Sequence, residues 1–345
     1  MIYIAIGSLL VIFTLLETDK QFRLISREGS YLVLVLMIVL ASIRNGVGTD
    51  WDAYLSFYKN IEESSRVEIG YSYFNNFFSN IGLHYNAFLF VLTLISILLI
   101  SSFLKNMGAM SAAAVLIFYS DLFLYLNLSG MRQAFAISIT CFSFRYAINH
   151  KPLPFFSLVA LASSFHMSAA VFFLAYFIPR ARPKWHHLLW IILGAILLFK
   201  SLETIAQFIT ENTLKNAMYY LDGIEVSDNA LSNYFIGSLK RVLVLGVVWV
   251  AWRDLKERLY FQYVLNIYIF GLLIYLLFYM LSADIGVRMS AYFTIFDTII
   301  IGLAIIYSRH FLTRMGIAVI VSAASIYKLS GYANSPYYEY KSIFF

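Results

Sequence analysis

Apolar runs of membrane-spanning length recur along this chain and leave it little else to fold into. They fall near residues 1–16, 30–43, 86–104, 111–128, 133–149, 153–178, 186–202, 233–252, 260–281, 289–307 and 311–327. A hydrocarbon core about 30 Å thick is crossed by roughly 20 apolar helical residues. Of the 345 residues, 61% are hydrophobic and 13% charged, against about 25% charged in soluble domains. The expectation is an all-α polytopic membrane protein of about 10–12 spans. It forms one transmembrane domain over 1–345, without a separate enzyme domain. The formal charge of +6 then reflects Lys and Arg that set orientation, and gives no reason to expect nucleic acid. Cys141 stands alone in an apolar run, so no disulfide framework or Cys metal cluster is expected. The run 1–16 lacks a basic leader and a small-residue cleavage site, and reads as an uncleaved first span.

The linkers carry the orientation signal. Basic residues gather in 17–27, at Lys105, at Arg145 through Lys151, in Arg180 through Lys184, in Arg253 through Arg258, and in Arg309 through Arg314. These linkers hold more than half of the Lys and Arg, so the positive-inside rule makes them cytoplasmic and both termini outer. Trp185, Trp190, Trp249 and Trp252 then share the cytoplasmic interface, as an aromatic belt does. The run 153–178 is flanked by Lys151 and Arg180 and interrupted by Ser163-Ser164-Phe165-His166-Met167-Ser168. Two arrangements satisfy it: one span with a basic outer loop, or a re-entrant hairpin with a polar tip. Non-helical backbone at that depth requires surrounding protein or a water-filled cavity.

Against this apolar background, residues 44–85 form a long polar outer loop. Within it Trp51, Tyr54, Leu55 and Tyr58, and then Phe74, Phe77, Phe78 and Ile81, recur at helical spacing. Both sets read as surface-lying amphipathic helices. A second outer loop, 203–232, has the composition of a cap or lid, and the Tyr-rich tail from Lys328 is expected along the outer interface.

Several residues here can carry chemistry, and each also has a structural role open to it. Arg44 is a snorkelling arginine or an anion contact. Asp50 caps the next helix, with Thr49 as rival cap, or faces a sugar or a catalytic histidine. Glu68 is a first-turn acid favoured by the helix dipole, or a site carboxylate. Arg132 opens a span near the outer face, with the hydrogen-bonding Gln133 beside it. His166 is a buried structural histidine or a proton acceptor, since intramembrane ionisable residues mark function by default. Lys240 and Arg241 lie well inside the run 233–252, and Arg288 lies in an outer turn with Asp284 available as its pair. Asp121 and Asp297 are single acids within spans, each expected to take an arginine partner. Arginines on the outer side, where the positive-inside rule does not ask for them, suit a pyrophosphate. Among His84, His150, His166, His186, His187 and His310 no metal-ligand spacing appears.

At these positions the sequence resembles the EpsG-like branch of the Wzy-type bacterial polysaccharide polymerases. The resemblance is carried by Arg44-x-Gly46-x-Gly48-x-Asp50-x-x-x-Tyr54, Glu68-x-Gly70-Tyr71, Met131-Arg132-Gln133-x-x-Ala136 and Ser164-Phe165-His166-x-Ser168-Ala169, in that order. Trp51 stands where a tyrosine is expected. It covers residues 30–180 well, and the rest only in hydrophobic pattern and outer arginines.

The resemblance implies a GT-C-like membrane fold and a metal-independent glycosyltransferase needing no cofactor. Such an enzyme joins undecaprenyl-pyrophosphate-linked oligosaccharide repeat units on the periplasmic, outer face of the bacterial inner membrane. The acceptor's sugar hydroxyl attacks the donor's anomeric carbon, and undecaprenyl pyrophosphate leaves. Its partners are the lipid-linked glycans, membrane lipid, and a chain-length regulator and flippase of the same pathway. Carried onto this chain, that chemistry makes His166 the base and Asp50 its orienting partner or rival. It makes Arg44, Arg132 and Arg288 phosphate contacts, with Arg241 a further one. Gln133, Tyr54 and Tyr71 then bind substrate, and Glu68 binds sugar or braces the loop. The corresponding spatial expectation is that Arg44, Arg132 and His166 line one outward-facing cavity. A transporter or flippase of lipid-linked oligosaccharide would show paired repeats or matching broken helices, and a membrane acyltransferase would open to a cytoplasmic donor.

Overall fold

A computed structural model describes residues 2–64, 67–181, 230–279 and 282–344. The expected span 186–202 and nearly all of the loop 203–232 lie outside the described residues.

The described elements are helical, in the order α1 (Ile2–Leu16), α2 (Arg23–Ser42), α3 (Trp51–Lys59), α4 (Ile61–Ser64), α5 (Ile69–Asn80) and α6 (Tyr85–Asn106). Next come α7 (Ala112–Phe118), which widens into a π-helix over Tyr119–Asn127, then α8 (Met131–Ile148), α9 (Pro152–Phe165) and a 3-10 helix over Met167–Phe177. The C-terminal half holds α10 (Ala230–Leu255), α11 (Phe261–Phe278), α12 (Ala283–Thr294), α13 (Phe296–Tyr307) and α14 (Phe311–Ala333). The chain is thus an all-α polytopic membrane protein. Among the described residues, five helices are long and apolar enough to cross a bilayer, and α12 with α13, bent by 40°, form a sixth apolar segment of that length, a broken span or a re-entrant loop. The rest of the expected 10–12 runs fold as shorter apolar pieces or, for 186–202, lie outside the described residues. Ile2–Leu16, Ala112–Asn127, Pro152–Phe165 and Met167–Phe177 are shorter apolar helices.

Helix α8 lies at the centre. It packs against α6, α9, the π-helix, the 3-10 helix and α12, and most of its residues are buried. Ala134, Ala136, Ser138, Thr140, Cys141, Ser143 and Ala147 are all buried on it. Small residues of this kind let neighbouring helices approach closely in a membrane. Its Phe144 ring meets Phe296 at 4.8 Å and Tyr263 at 5.0 Å, which ties α13 and α11 to the same core.

The segment 152–177 is a hairpin. Ring centroids of Phe155 and Tyr176 lie 5.4 Å apart, and those of Phe156 and Phe173 5.7 Å. A continuous helix would separate Phe155 from Tyr176 by about 31 Å at 1.5 Å per residue. The chain reverses at His166, whose backbone is extended (φ −156°, ψ 115°). Its returning end is held by Arg180, which donates to the Ala147 carbonyl at 2.9 Å, and by Asn266, which donates to the Pro179 carbonyl at 2.7 Å. Both basic flanks therefore lie at the same end of α8.

The two ends of the bundle are built differently. At one end basic linkers meet: Arg314 donates to the Thr18 carbonyl at 2.6 Å, and Arg309 pairs with Asp254 at 3.2 Å. At the other, the loop 44–85 folds into α3–α5, and the tail threads back against it. Asn45 N–H donates to the Lys341 carbonyl and Ile343 N–H to the Ile43 carbonyl, both at 2.9 Å. In α5 the buried side chains are Tyr71 and Asn75, while Phe77 and Ile81 of the expected apolar stripe are exposed. In a membrane protein, exposed apolar groups of that kind suit the lipid interface.

Candidate functional site

The hairpin tip meets the polar loop at one carboxylate. Glu68 precedes α5, and its side chain makes no cap bond to that helix. Instead its Oε2 pairs with the Arg132 guanidinium. Its Oε1 lies 3.0 Å from His166 Nδ1 and accepts the Met167 N–H at 3.2 Å. The reversal of chain direction makes this possible: His166 stands at the end of α9, and the free N–H of Met167 opens the next turn. The approach is close enough to need a glycine. A Cβ added to Gly70 would fall 2.2 Å from Ser164 Oγ and 2.8 Å from the Ser164 carbonyl oxygen.

Electrostatics favour an ionised Glu68. Burial works against its charge, but the hydrogen bond with His166 and the positive charge of Arg132 prevail and hold its pKa at about 2. Facing an ionised carboxylate, a neutral imidazole places its proton on Nδ1 and keeps the Nε2 lone pair free to accept another. Arg132 is fixed by a second contact, since its Nε donates to Tyr54 Oη at 3.4 Å. Its guanidinium also lies 5.8 Å from the Tyr54 ring centroid and 6.0 Å from that of Tyr71. The side chains of Arg132, Glu68 and His166 remain 22%, 18% and 14% exposed, so a bound molecule can reach them.

The neighbouring Gln133 turns the other way. It donates to the Arg288 carbonyl at 2.8 Å and lines a cavity of about 580 Å³. Arg288, Arg241, Lys240, Lys328, Asp121 and Asp297 line this cavity too, among aliphatic residues of α10 and α14. Asp121 sits in the π-helix, a form that recurs at functional sites. Arg288 is paired with Asp284 at 2.7 Å, the partner open to it from the sequence.

The first turn of α8 thus sends three successive side chains to three places. Arg132 reaches Glu68 and Gln133 reaches the cavity. Met131 reaches Arg44, whose Nη2 lies 3.0 Å from its sulfur. The expectation that Arg44 shares an open chamber with Arg132 and His166 is corrected here. Arg44 is only 1% exposed, donates to the Ala41 carbonyl at 2.9 Å and lies 5.5 Å from the Trp51 ring centroid. The returning tail closes over it, with Ser342 bridged to its backbone. Tyr71, at 0% exposure, is buried as well.

Asp50 is also corrected as the partner of His166, because Glu68 occupies that position. Asp50 accepts from Thr49 Oγ1 at 2.9 Å and makes no side-chain cap bond to α3. Its charge acts instead on Arg288 and Tyr125. Gly48, in the same turn, has φ +107°, and a Cβ there would fall 2.0 Å from the Leu128 carbonyl oxygen. That approach lets Thr49 N–H donate to Ser129 Oγ at 3.0 Å.

The arginine partners expected for the intramembrane acids are replaced by lysines. Asp121 pairs with Lys240 and with Lys328, the latter at 3.0 Å, and Asp297 lies 3.9 Å from Lys240. The long lysine stems reach Asp121 from α10 and α14, so residues distant in sequence share one carboxylate. In the sequence Lys328 reads only as the start of the tail; its place five residues inside a helix end is what signals an intramembrane cation. Among the described residues, no group of three His, Cys, Asp or Glu side chains is placed to hold a metal ion.

No curated protein and no solved structure matches this chain. The sequence profile of the EpsG family matches residues 30–342, beyond the N-terminal part that carries the motifs and through the helices that line the cavity. The chain belongs to the EpsG family.

Proposed function

We propose that this protein is a polysaccharide polymerase: a membrane glycosyltransferase that joins undecaprenyl-pyrophosphate-linked oligosaccharide repeat units on the outer face of the bacterial inner membrane. The observation that carries this reading is the Glu68 carboxylate, which holds His166 and Arg132 together at the hairpin tip. A base and a cation fixed beside each other suit a reaction in which a hydroxyl loses its proton while a phosphate leaving group gains charge.

In the proposed reaction the acceptor's sugar hydroxyl gives its proton to His166 Nε2. The oxygen forms a bond to the anomeric carbon of the donor, and the bond from that carbon to the pyrophosphate oxygen breaks. The electron pair departs with the lipid pyrophosphate, which needs no protonation to leave. Glu68 fixes the imidazole and stabilises its protonated form. Arg132 stands beside the base, and Gln133, Arg288 and Arg241 line the adjoining cavity, where preorganised donors meet the growing phosphate charge. Tyr54 is buried and serves by holding Arg132 in place, not by meeting a sugar. Arg44 and Tyr71 act from beneath, by holding the loop and α8 in register.

Reconstitution with a purified lipid-pyrophosphate repeat unit tests the proposal. A ladder of longer glycans is the expected product. Translocation of unaltered substrate without a ladder would replace the polymerase by a flippase.

A further inference from the structure

The proposed mechanism leaves the innermost charges of the cavity unused. Asp121, on the π-helix, is shared by Lys240 of α10 and Lys328 of α14. Lys328 Nζ also donates to the Asp121 backbone carbonyl at 3.3 Å. Both lysine side chains remain 38% exposed, while Asp121 is 10% exposed. Next to Lys240 in the chain, Arg241 donates to the Gly237 carbonyl at 2.9 Å and lies 3.5 Å from the Tyr275 ring centroid, and its buried Nε has no hydrogen-bond partner. With Arg288 paired to Asp284, three cations face the two acids Asp121 and Asp297, among the described residues, in a cavity with aliphatic walls. A surplus of positive charge at membrane depth is costly unless an anion meets it. The walls around it suit a hydrocarbon chain, including Ile236, Leu239, Leu243 and Val247 of α10.

We infer that the cavity seats the phosphate head and first chain segments of a lipid phosphoester, with Asp121 as the internal anion that holds Lys240 and Lys328 in its absence. Lysine suits this part, because its ammonium carries three rotatable donors on a flexible stem and can turn one toward a phosphate while another stays on Asp121. The lipid's identity as a polyprenyl pyrophosphate carrier rests on the polymerase reading; the recognition of a phosphate head on an aliphatic chain does not. Gln133 lines the same cavity and follows Arg132 in the chain. On the polymerase reading, this cavity is the donor's seat.

The test is binding of labelled undecaprenyl pyrophosphate to the full-length protein in nanodiscs. Lys240→Gln and Lys328→Gln should each weaken binding about tenfold, the usual size for loss of a charged hydrogen bond. Lys328→Arg should keep it, and Lys341→Gln in the exposed tail should leave it unchanged. Asp121→Asn should melt earlier than the wild type when empty, bind several-fold more tightly, and gain more in melting midpoint from the lipid. A merely structural cluster would lose stability in all three variants without that larger gain.

Inorganic pyrophosphate should compete at least about a hundredfold less well, because each buried methylene adds roughly 0.8 kcal/mol to the lipid alone. Equal competition by inorganic pyrophosphate would overturn a lipid site. Carrier binding untouched by both lysine variants, with normal chain growth, would overturn this site and leave the polymerase reading standing. Lysine-dependent carrier binding without any chain growth would do the reverse.

Discussion

His166 Nδ1 lies 3.0 Å from Glu68 Oε1, although 98 residues separate them in the chain. The pair forms because the hairpin reverses at His166 and α5 begins against that reversal. If it works as base and orienter, His166→Ala should yield a folded protein that makes no polymer. Glu68→Gln should slow chain growth by about 10²-fold, the lower range for positioned acid–base catalysis. Glycan ladders from reconstituted variants, with size-exclusion profiles as the folding control, check this. Normal ladders from His166→Ala would remove the histidine from the mechanism.

Glu68 should also leave a signature in acid stability. Its folded pKa, about 2, lies below the ordinary 4.5. A lowered carboxylate pKa contributes stability that is fully present above the unfolded value and is lost as pH falls through the folded one. The loss attributable to Glu68 should therefore fall between about pH 4.5 and 2. Melting midpoints in detergent should drop across that interval for the wild type, and less steeply for Glu68→Gln. Parallel curves would show that the carboxylate is not held as described.

Gly70→Ala tests the fit between α5 and the hairpin tip. The added methyl meets both the side chain and the backbone oxygen of Ser164, so α5 must retreat from the tip. Overpacking of this kind costs about 1–3 kcal/mol, and chain growth should fall further than stability because Glu68 moves with α5. Adding Ser164→Ala should not restore activity, since the backbone oxygen remains in the way. Full rescue by the double variant would locate the conflict in the hydroxyl alone.

Arg44 and Arg132 should fail in different ways. Arg44 is buried, with a carbonyl, a thioether and an indole face around it, and its loss leaves those groups unmet. Arg44→Ala should destabilise by about 1.5–3 kcal/mol, the scale of a lost charged hydrogen bond. Arg132→Ala should fold nearly as well but lose chain growth. Thermal unfolding beside the ladder assay separates the two, and an Arg44→Ala protein of undiminished stability would return that arginine to the substrate.

Topology gives an independent check. Arg180 reaches Ala147, next to the basic turn at Lys151, so reporters inserted at Lys151 and after Ala181 should read out on the same side of the membrane. Opposite sides would mean that 152–177 crosses.

What the sequence by itself determined is what local composition can encode. Apolar runs specify a helical membrane protein, because no other arrangement satisfies the backbone in lipid. The two basic flanks around Ser163–Ser168 made the hairpin one of two allowed solutions, and the polar motifs marked 44–85 as the loop that matters. Tertiary structure decided the partners. Asp50 and Glu68 are equivalent as carboxylates in a polar loop, and only the packing of α5 on the hairpin tip gives His166 to Glu68. Arg44 and Arg132 look alike as outer arginines, yet the returning tail buries one and leaves the other partly open. Lys240 and Lys328 converge on Asp121 because three helices cross there. A run of sequence states how far each helix extends and how polar it is. Which side chains meet depends on crossing angles and rotations that arise only when the helices pack.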